Sequence, residues 1–428
     1  MEAERFFHDL INASRAGAGR AICSVCSSNA LVIEAAIEEG KREQQPVLIE
    51  ATANQVNQYG GYTGMTPLDF SGYVAGIAGK LGFDPDELIL GGDHLGPLVW
   101  SKEPEESAME KAETLIAAFA EAGFGKIHID CSMRLGDDDP AAPLPAETVA
   151  ARAAKLAAVA ERHAVGKPVY VIGSEVPIPG GATEEEGALA VTSREALRHE
   201  YTVFRDAFLE RGLAAAWDRV IAVVVQPGVE FGDDQVFLYN RTNAEDLIQA
   251  ARELPNIVLE GHSTDYQPTK CLREMREDGI AVLKVGPALT FALRSALFAL
   301  EGIERVQYRQ EPSGGYSNFA EILEREMLAS PDNWIRHYHG DEETLAKMRK
   351  YSLSDRCRYY LDRPNVAASI ARLICNVDAA PPSFGLLDQF LPRQVADVIS
   401  GNIDRKATTL IKEQVKYVLR TYGDHSSC

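Results

Sequence analysis

The sequence predicts an α/β fold, a (β/α)8 TIM barrel with an α-helical C-terminal extension, on three observations. Residues 20 to 300 hold eight short apolar runs, each run ends on a polar or charged residue, and each is followed by a stretch with helical capping signals. Strands alternating with helices of this length imply parallel pairing, because each helix must carry the chain back to the starting edge. A doubly wound open sheet is the competing architecture, but it usually has fewer strands and, for dinucleotides, a G-x-G-x-x-G turn after the first one. Here that turn reads Cys26-Ser-Ser-Asn29, without a glycine.

In chain order, Ala21 to Cys26 feeds a helix opened by Asn29 and closed at Gly40. Pro46 to Glu50 is followed by a polar loop and a helix ending at Gly82, where Thr66, Pro67 and Asp69 occupy capping-box positions. Leu88 to Asp93 feeds Glu105 to Ala122, and Lys126 to Cys131 feeds Glu147 to Ala164. Pro168 to Glu175 leads through a long loop to Ser193 to Arg211, and Arg219 to Gln226 leads to Asn243 to Leu254. Asn256 to Gly261 precedes Thr269 to Asp278, and Ile280 to Gly286 precedes Pro287 to Leu300. Beyond Gly302 the pattern is helical and loop-like, with helices expected at Glu321 to Leu328, Glu342 to Lys350, Val366 to Cys375 and Asp404 to Tyr422. The expected division is a barrel domain over 1–301 and a helical extension over 302–428 packed on it.

The 428 residues are 46% hydrophobic and 25% charged, an ordinary globular composition. No stretch approaches the roughly 18 uninterrupted apolar residues of a membrane span. The acidic start, Met1-Glu-Ala-Glu-Arg5, has neither the basic nor the apolar region of a secretory signal and reads as cytoplasmic. Seven cysteines, an odd number, argue for reduced thiols, and the Cys23-x-x-Cys26 pair has no second pair with which to form a zinc ribbon. A net charge of -20 repels nucleic acid and anionic lipid, so an anionic substrate needs a local basic or amide-lined pocket.

In a barrel the C-terminal strand ends share one mouth, which brings scattered residues together. In Lys126-Ile-His-Ile-Asp130 the isoleucines face the outer helices, and His128 and Asp130 point inward. Glu260 and His262 share one parity at the seventh run, and Asp93-His94 ends the third. Buried carboxylates beside histidines suggest a divalent cation, zinc or another transition metal, with His94, Glu260 and His262 as ligand candidates. Asp93, Asp130 and Glu175 are candidates for proton transfer; the alternative for Asp130 and Glu175 is that they orient a ligand. Lys284, alone among apolar neighbours, could form an imine with a ketose or pair with a phosphate or an acid. Phosphate contacts fall by barrel convention after strands seven and eight, at Ser263, Thr264 and Arg294. Arg356 and Arg358 in the extension add basic charge, and Glu50 to Gly64, with Asn54 and Gln55, suits either sugar hydroxyls or Asx turns.

Several segments resemble a known family: Ile49-Glu-Ala-Thr-Ala-Asn-Gln-Val-Asn-Gln58, Gly60-Gly-Tyr-Thr-Gly-Met-Thr-Pro67, Gly91-Gly-Asp-His-Leu-Gly-Pro97, Gly173-Ser-Glu-Val-Pro-Ile-Pro-Gly-Gly181, Val225-Gln-Pro-Gly-Val-Glu-Phe231, Gly261-His-Ser-Thr-Asp-Tyr-Gln267 and Lys284-Val-Gly-Pro-Ala-Leu-Thr-Phe-Ala-Leu-Arg294. They are similar to the Z-type subunit of D-tagatose-1,6-bisphosphate aldolase. The resemblance implies a barrel like that of metal-dependent class II aldolases. It also implies one of two roles, a ketose-6-phosphate 4-epimerase or a non-catalytic partner of a separate aldolase subunit. Asp93-His94 then corresponds to the acid-plus-ligand pair after strand three. Where class II aldolases carry histidines after strands six and seven, this chain offers Gln226 and Glu260, with His262 to compensate. Some members were once labelled tagatose-6-phosphate kinases, yet the chain has no G-x-x-x-x-G-K-[ST] loop. The expectation is a metal-dependent epimerase converting D-tagatose 6-phosphate to D-fructose 6-phosphate by retro-aldol chemistry, with the aldolase-partner role as its alternative and a homo-oligomer left open.

Overall fold

Strand parity decides which side chains fill the interior, and eight parallel strands close on themselves to do so. The computed structural model describes residues 3–173 and 189–423. The strands are β1 Ile22–Cys26, β2 Val47–Thr52, β3 Leu88–Leu95 and β4 Lys126–Ile129, then β5 Val169–Ile172, β6 Val220–Val225, β7 Val258–Gly261 and β8 Ile280–Val285. Each pairs in parallel with its sequence neighbours, and β8 pairs with β1 to close the barrel. Strands such as Val-Ile-Ala-Val-Val-Val in β6 are buried throughout, as both faces must be when helices cover the outside.

The helices follow the capping signals closely. Asn29 accepts from the amides of Leu31 and Val32 at the start of Ala30–Glu43, and Thr66 and Asp69 form a reciprocal capping box at the start of Pro67–Leu81. Gly40 does not end its helix as expected. The helix runs on to Glu43 and turns at Gln44, in the left-handed region at φ 54°. A Cβ on Gly40 would lie 2.1 Å from Val47 Cγ2, so this glycine serves close packing against β2.

A helix over Ala3–Arg15, absent from the sequence expectation, plugs the N-terminal end of the barrel. Its Phe6, Phe7, Leu10 and Ile11 pack on Leu48, Val171, Val224 and Val282 of the interior. The barrel interior at this end is therefore apolar, and the buried charges of the barrel axis lie above it. After β8 the helix Pro287–Gln307 runs through residue 301, and the chain continues as helices over Phe319–Ala329, Glu342–Tyr351, Pro364–Ala379 and Phe384–Phe390. The last helix, Ala407–Tyr422, returns to the barrel and packs between Ala30–Glu43 and Pro287–Gln307. Its Lys412 pairs with Glu34 at 3.1 Å and Arg420 with Glu39 at 3.1 Å. No helix of the described residues is long and apolar enough to cross a membrane.

Truncating the plug tests this account. Phe7→Ala should cost about 3–5 kcal/mol in denaturant unfolding, as large-to-small core changes do. A cost below about 1 kcal/mol would remove the plug from the stability account.

Candidate functional site

Above the apolar layer the barrel axis carries a chain of buried charges. Lys126, from β4, lies with its Nζ 2.7 Å from Glu50 Oε1 and 2.8 Å from Glu260 Oε2. Lys284, from β8, contacts the other Glu50 oxygen and lies 2.7 Å from Asp93 Oδ1. Glu50, Lys126 and Glu260 are wholly buried, so each charge depends on these partners. Gly91 makes room for them, since a Cβ there would meet Glu50 Oε1 at 2.5 Å. Burial alone would lower the Lys284 pKa, but Asp93, Glu50 and Glu260 raise it well above the ordinary lysine value. The ammonium stays protonated.

Three imidazoles stand over this layer, with ring centroids 4.9–5.2 Å apart. Asp93 and His94 are adjacent, so parity on a regular strand would send them to opposite faces. The β3–β4 register shifts between Gly92 and Leu95, and His94 takes φ 47°, a left-handed conformation that turns both side chains into the mouth. Each imidazole has a carboxylate on one nitrogen. His94 Nδ1 donates to Asp130 Oδ2 at 2.9 Å, and Asp130 Oδ1 accepts from the Ser132 amide and hydroxyl at 3.0 and 2.6 Å. His262 Nε2 donates to Glu260 Oε1 at 2.9 Å. His128 Nδ1 lies 2.8 Å from Asp93 Oδ1 and also faces the His94 amide N–H at 3.1 Å; the carboxylate contact needs the proton on Nδ1 and leaves Nε2 bare, whereas the amide contact needs Nδ1 to accept, so the two compete for the tautomer.

That arrangement directs the second nitrogen of each ring away from its carboxylate. One ligand atom each from Asp93, His94, His128 and His262 lies within 4.8 Å of the others, and the buried His128 Nε2 has no hydrogen-bond partner among the described residues. Imidazoles oriented by carboxylates on the far nitrogen are the usual surroundings of a bound transition metal. Burial would lower the His94 pKa, but Asp93 and Asp130 raise it above its ordinary value; for His262 burial prevails and brings it down to about 4. Asp93 is pushed up by burial and more than compensated by His94 and Lys284, which hold it well below the carboxylate range. The donor set fits a divalent cation.

The centre opens into a cavity whose lining includes Asp93, His94, His262 and Lys284. Its far wall comes from the C-terminal segment, where Arg358 Nη2 donates to Tyr359 Oη at 2.9 Å and Tyr359 packs edge-on against Tyr62 with centroids 4.9 Å apart. Asn54, Gln55 and Ser263 also face this space. The amide-rich loop is partly self-directed: Gln55 Oε1 accepts from the Thr52 amide, and Asn57 Oδ1 accepts from the amides of Tyr59 and Gly61.

Other sequence candidates sit elsewhere. Glu50, expected to contact substrate, is sealed beneath the site by two lysines. Glu260, expected as a ligand, is outside the four-residue group, with its oxygens engaged by Lys126 and His262. Asp130 holds His94 and Ser132 and does not line the cavity. Thr264 Oγ1 donates to the Lys284 carbonyl at 2.6 Å, Arg294 is buried against Asp355 at 2.8 Å, and Arg356 Nη2 lies 3.0 Å from His337 Nδ1. None of these three faces the cavity. Glu175 lies outside the described residues. His128 was legible as inward-facing but not as a ligand candidate; Lys126 shares its parity, and the third position after His262 brings Asp265 into the lining.

A family model described as D-tagatose-1,6-bisphosphate aldolase subunit GatZ/KbaZ-like matches residues 7–427. The crystal structure of a probable tagatose 6 phosphate kinase from Sinorhizobium meliloti 1021 is 46% identical with a TM-score of 0.86, over 94% of this chain and 99% of that one. A fructose-bisphosphate aldolase from Campylobacter jejuni aligns at 14% identity and a TM-score of 0.43, over 91% of this chain and 96% of that one.

Binding measurements check the centre. Equilibrium dialysis against Zn²⁺ or Co²⁺ should show one ion per chain, with binding abolished in a His94→Ala, His128→Ala double variant. Asp130→Asn, which alters a residue that holds His94 from outside the four-residue group, should weaken binding about 10–100-fold. Affinity should fall as pH drops below neutrality, because the raised His94 pKa lets a proton compete with the ion. Full affinity in the double variant would place the ion elsewhere.

Proposed function

The chain belongs to the D-tagatose-1,6-bisphosphate aldolase subunit GatZ/KbaZ-like family, and from that premise we propose that it is a metal-dependent 4-epimerase converting D-tagatose 6-phosphate to D-fructose 6-phosphate. The observation that carries this reading is the group Asp93, His94, His128 and His262 at the foot of a cavity that is also lined by Arg358, which has no carboxylate ion pair among the described residues. A divalent ion held by the three imidazoles would supply Lewis acidity to the ketone and its neighbouring hydroxyl.

The hydrogen on carbon 4 lies β to the ketone and is not acidic, so removing it is a poor route to inversion. Breaking the bond between carbons 3 and 4 avoids that. Asp93, whose Oδ1 is occupied by His128 and Lys284, takes the carbon 4 hydroxyl proton on Oδ2. The carbon 4 oxygen becomes an aldehyde, and the electron pair of the broken bond passes into an enediolate over carbons 2 and 3. The aldehyde presents its other face, the bond re-forms, and the proton returns. Lys284 keeps Asp93 ionised, Asp130 fixes the His94 tautomer, and Arg358 retains the phosphorylated fragment between the two half-reactions. Glu175 remains a second candidate for proton return.

The alternative reading is a non-catalytic partner of a catalytic aldolase subunit, and it has one observation in its favour. Gln226, at a position where the resemblance implies a metal histidine, turns its Oε1 onto its own loop, accepting from the amides of Gly228 and Val229 at 2.9 and 3.0 Å. An imine through Lys284 is disfavoured by the protonated state that its three acidic neighbours impose.

Incubation with D-tagatose 6-phosphate and a series of divalent ions should yield fructose 6-phosphate. In D₂O the product should carry no deuterium at carbon 4, since that hydrogen never leaves; deuterium there would rule out cleavage and re-addition. Asp93→Asn should lower turnover by about 10²–10⁴, the usual contribution of a positioned base. Borohydride with the same ketose should leave Lys284 unlabelled. No turnover with any ion, together with co-purification and activation of an aldolase subunit, would replace the epimerase with the partner role.

A further inference from the structure

We propose that the Asp265 carboxylate, bound to the amide end of the helix after β8, limits this site to ligands carrying a single phosphate. The inference rests on the reading of the cavity as a ketose phosphate site and concerns which ketose phosphates it admits.

In barrels a phosphate commonly sits after strands seven and eight against a helix N-terminus, where free amides point outward. The relevant helix here is Pro287–Gln307, and every amide of its first turn is already used. Asp265 Oδ1 accepts from Gly286 N–H at 3.1 Å and Ala288 N–H at 2.8 Å. Pro287 has no N–H, and the Leu289 and Thr290 amides donate to the Gly286 carbonyl at 3.0 and 3.4 Å. The protein has put its own anion where the fold would hold an external one.

The turn that delivers Asp265 is firmly set. Ser263 and Tyr266 flank it in left-handed conformations, at φ 51° and 62°. Thr264 is pinned through its carbonyl by the Tyr422 hydroxyl at 2.8 Å and through its hydroxyl to the Lys284 carbonyl. Asp265 is 3% exposed yet contributes to the cavity wall.

The charge inventory of the wall points the same way. Its cations among the described residues are Lys284, neutralised by Glu50 and Asp93, and Arg358, which has no carboxylate partner. Its acids are Asp93 and Asp265. Residues 174–188 contain no lysine or arginine. Arg358 can pair with one phosphate, whereas a second dianion would lie beside Asp265 with no further wall cation left to pair with it. Rejection by an unpaired like charge is a standard route to specificity.

The test is calorimetric binding of D-fructose 6-phosphate and D-fructose 1,6-bisphosphate to the full chain loaded with the same divalent ion. Wild type should favour the monophosphate by ~30-fold or more, which is what one like charge several ångströms away is worth at an effective dielectric of about 20. Asp265→Asn keeps an acceptor for both amides and removes the charge, so the preference should shrink to within about threefold. Asp265→Ala frees the amides and should gain affinity for inorganic phosphate, with thermal unfolding reporting whether each variant is folded. Equal affinities in wild type, an unchanged preference in Asp265→Asn, or no binding of either ligand would overturn the proposal. Discrimination without turnover would sink the epimerase alone, and turnover without discrimination would sink this inference alone.

Discussion

The ladder of alternating charges along the barrel axis, from Lys126 through Glu50 and Glu260 to Lys284 and Asp93, is the constraint on which the site depends. Removing one member of such a buried set typically costs 3–5 kcal/mol, because the partner is left charged and unpaired. An apolar filling of the same volume would be as stable or more so. What the ladder supplies is placement. It anchors the carboxylate that orients His262 and the one that orients His128, and it keeps Lys284 protonated beside Asp93.

The same feature explains how far the site was legible in the sequence. Parity in Lys126-Ile-His-Ile-Asp130 correctly turned His128 and Asp130 inward, and strand-end logic brought Asp93, His94 and His262 to one mouth. What parity could not separate was a carboxylate that faces a cation from one that faces a histidine, so Glu260 looked like a ligand. That distinction depends on Lys126, one strand away, which claims the second oxygen. Nor does regular parity allow Asp93 and His94 to share a face; the left-handed His94 and the register shift do, and neither has a clear sequence signal.

Elsewhere, expectations departed from the structure where a residue had two competing uses. Gly40 carries a stop signal but is needed for contact with Val47. The first helix hides its pattern behind charged residues, although Phe6, Phe7, Leu10 and Ile11 recur at helical spacing. Arg294 reads as an anion ligand by position, yet its guanidinium holds Asp355, the left-handed residue at φ 48° from which the Arg356–Tyr360 turn departs. It thereby sets the segment that brings Arg358 to the mouth.

These placements bear on the choice between catalyst and partner. A subunit that only stabilised another protein would need an outer surface, and its barrel could close on apolar layers like the one beneath Glu50. This barrel instead gathers three imidazoles with ring centroids 4.9–5.2 Å apart, each beside a carboxylate, and directs a buried nitrogen of His128 toward no protein group among the described residues. Four carboxylates, Glu50, Asp93, Asp130 and Glu260, face two ammoniums there, a surplus of two negative charges when the histidines are neutral. A divalent cation held there, as proposed, would cancel that surplus. The electrostatics of the interior therefore suit a bound divalent ion at the group of Asp93, His94, His128 and His262.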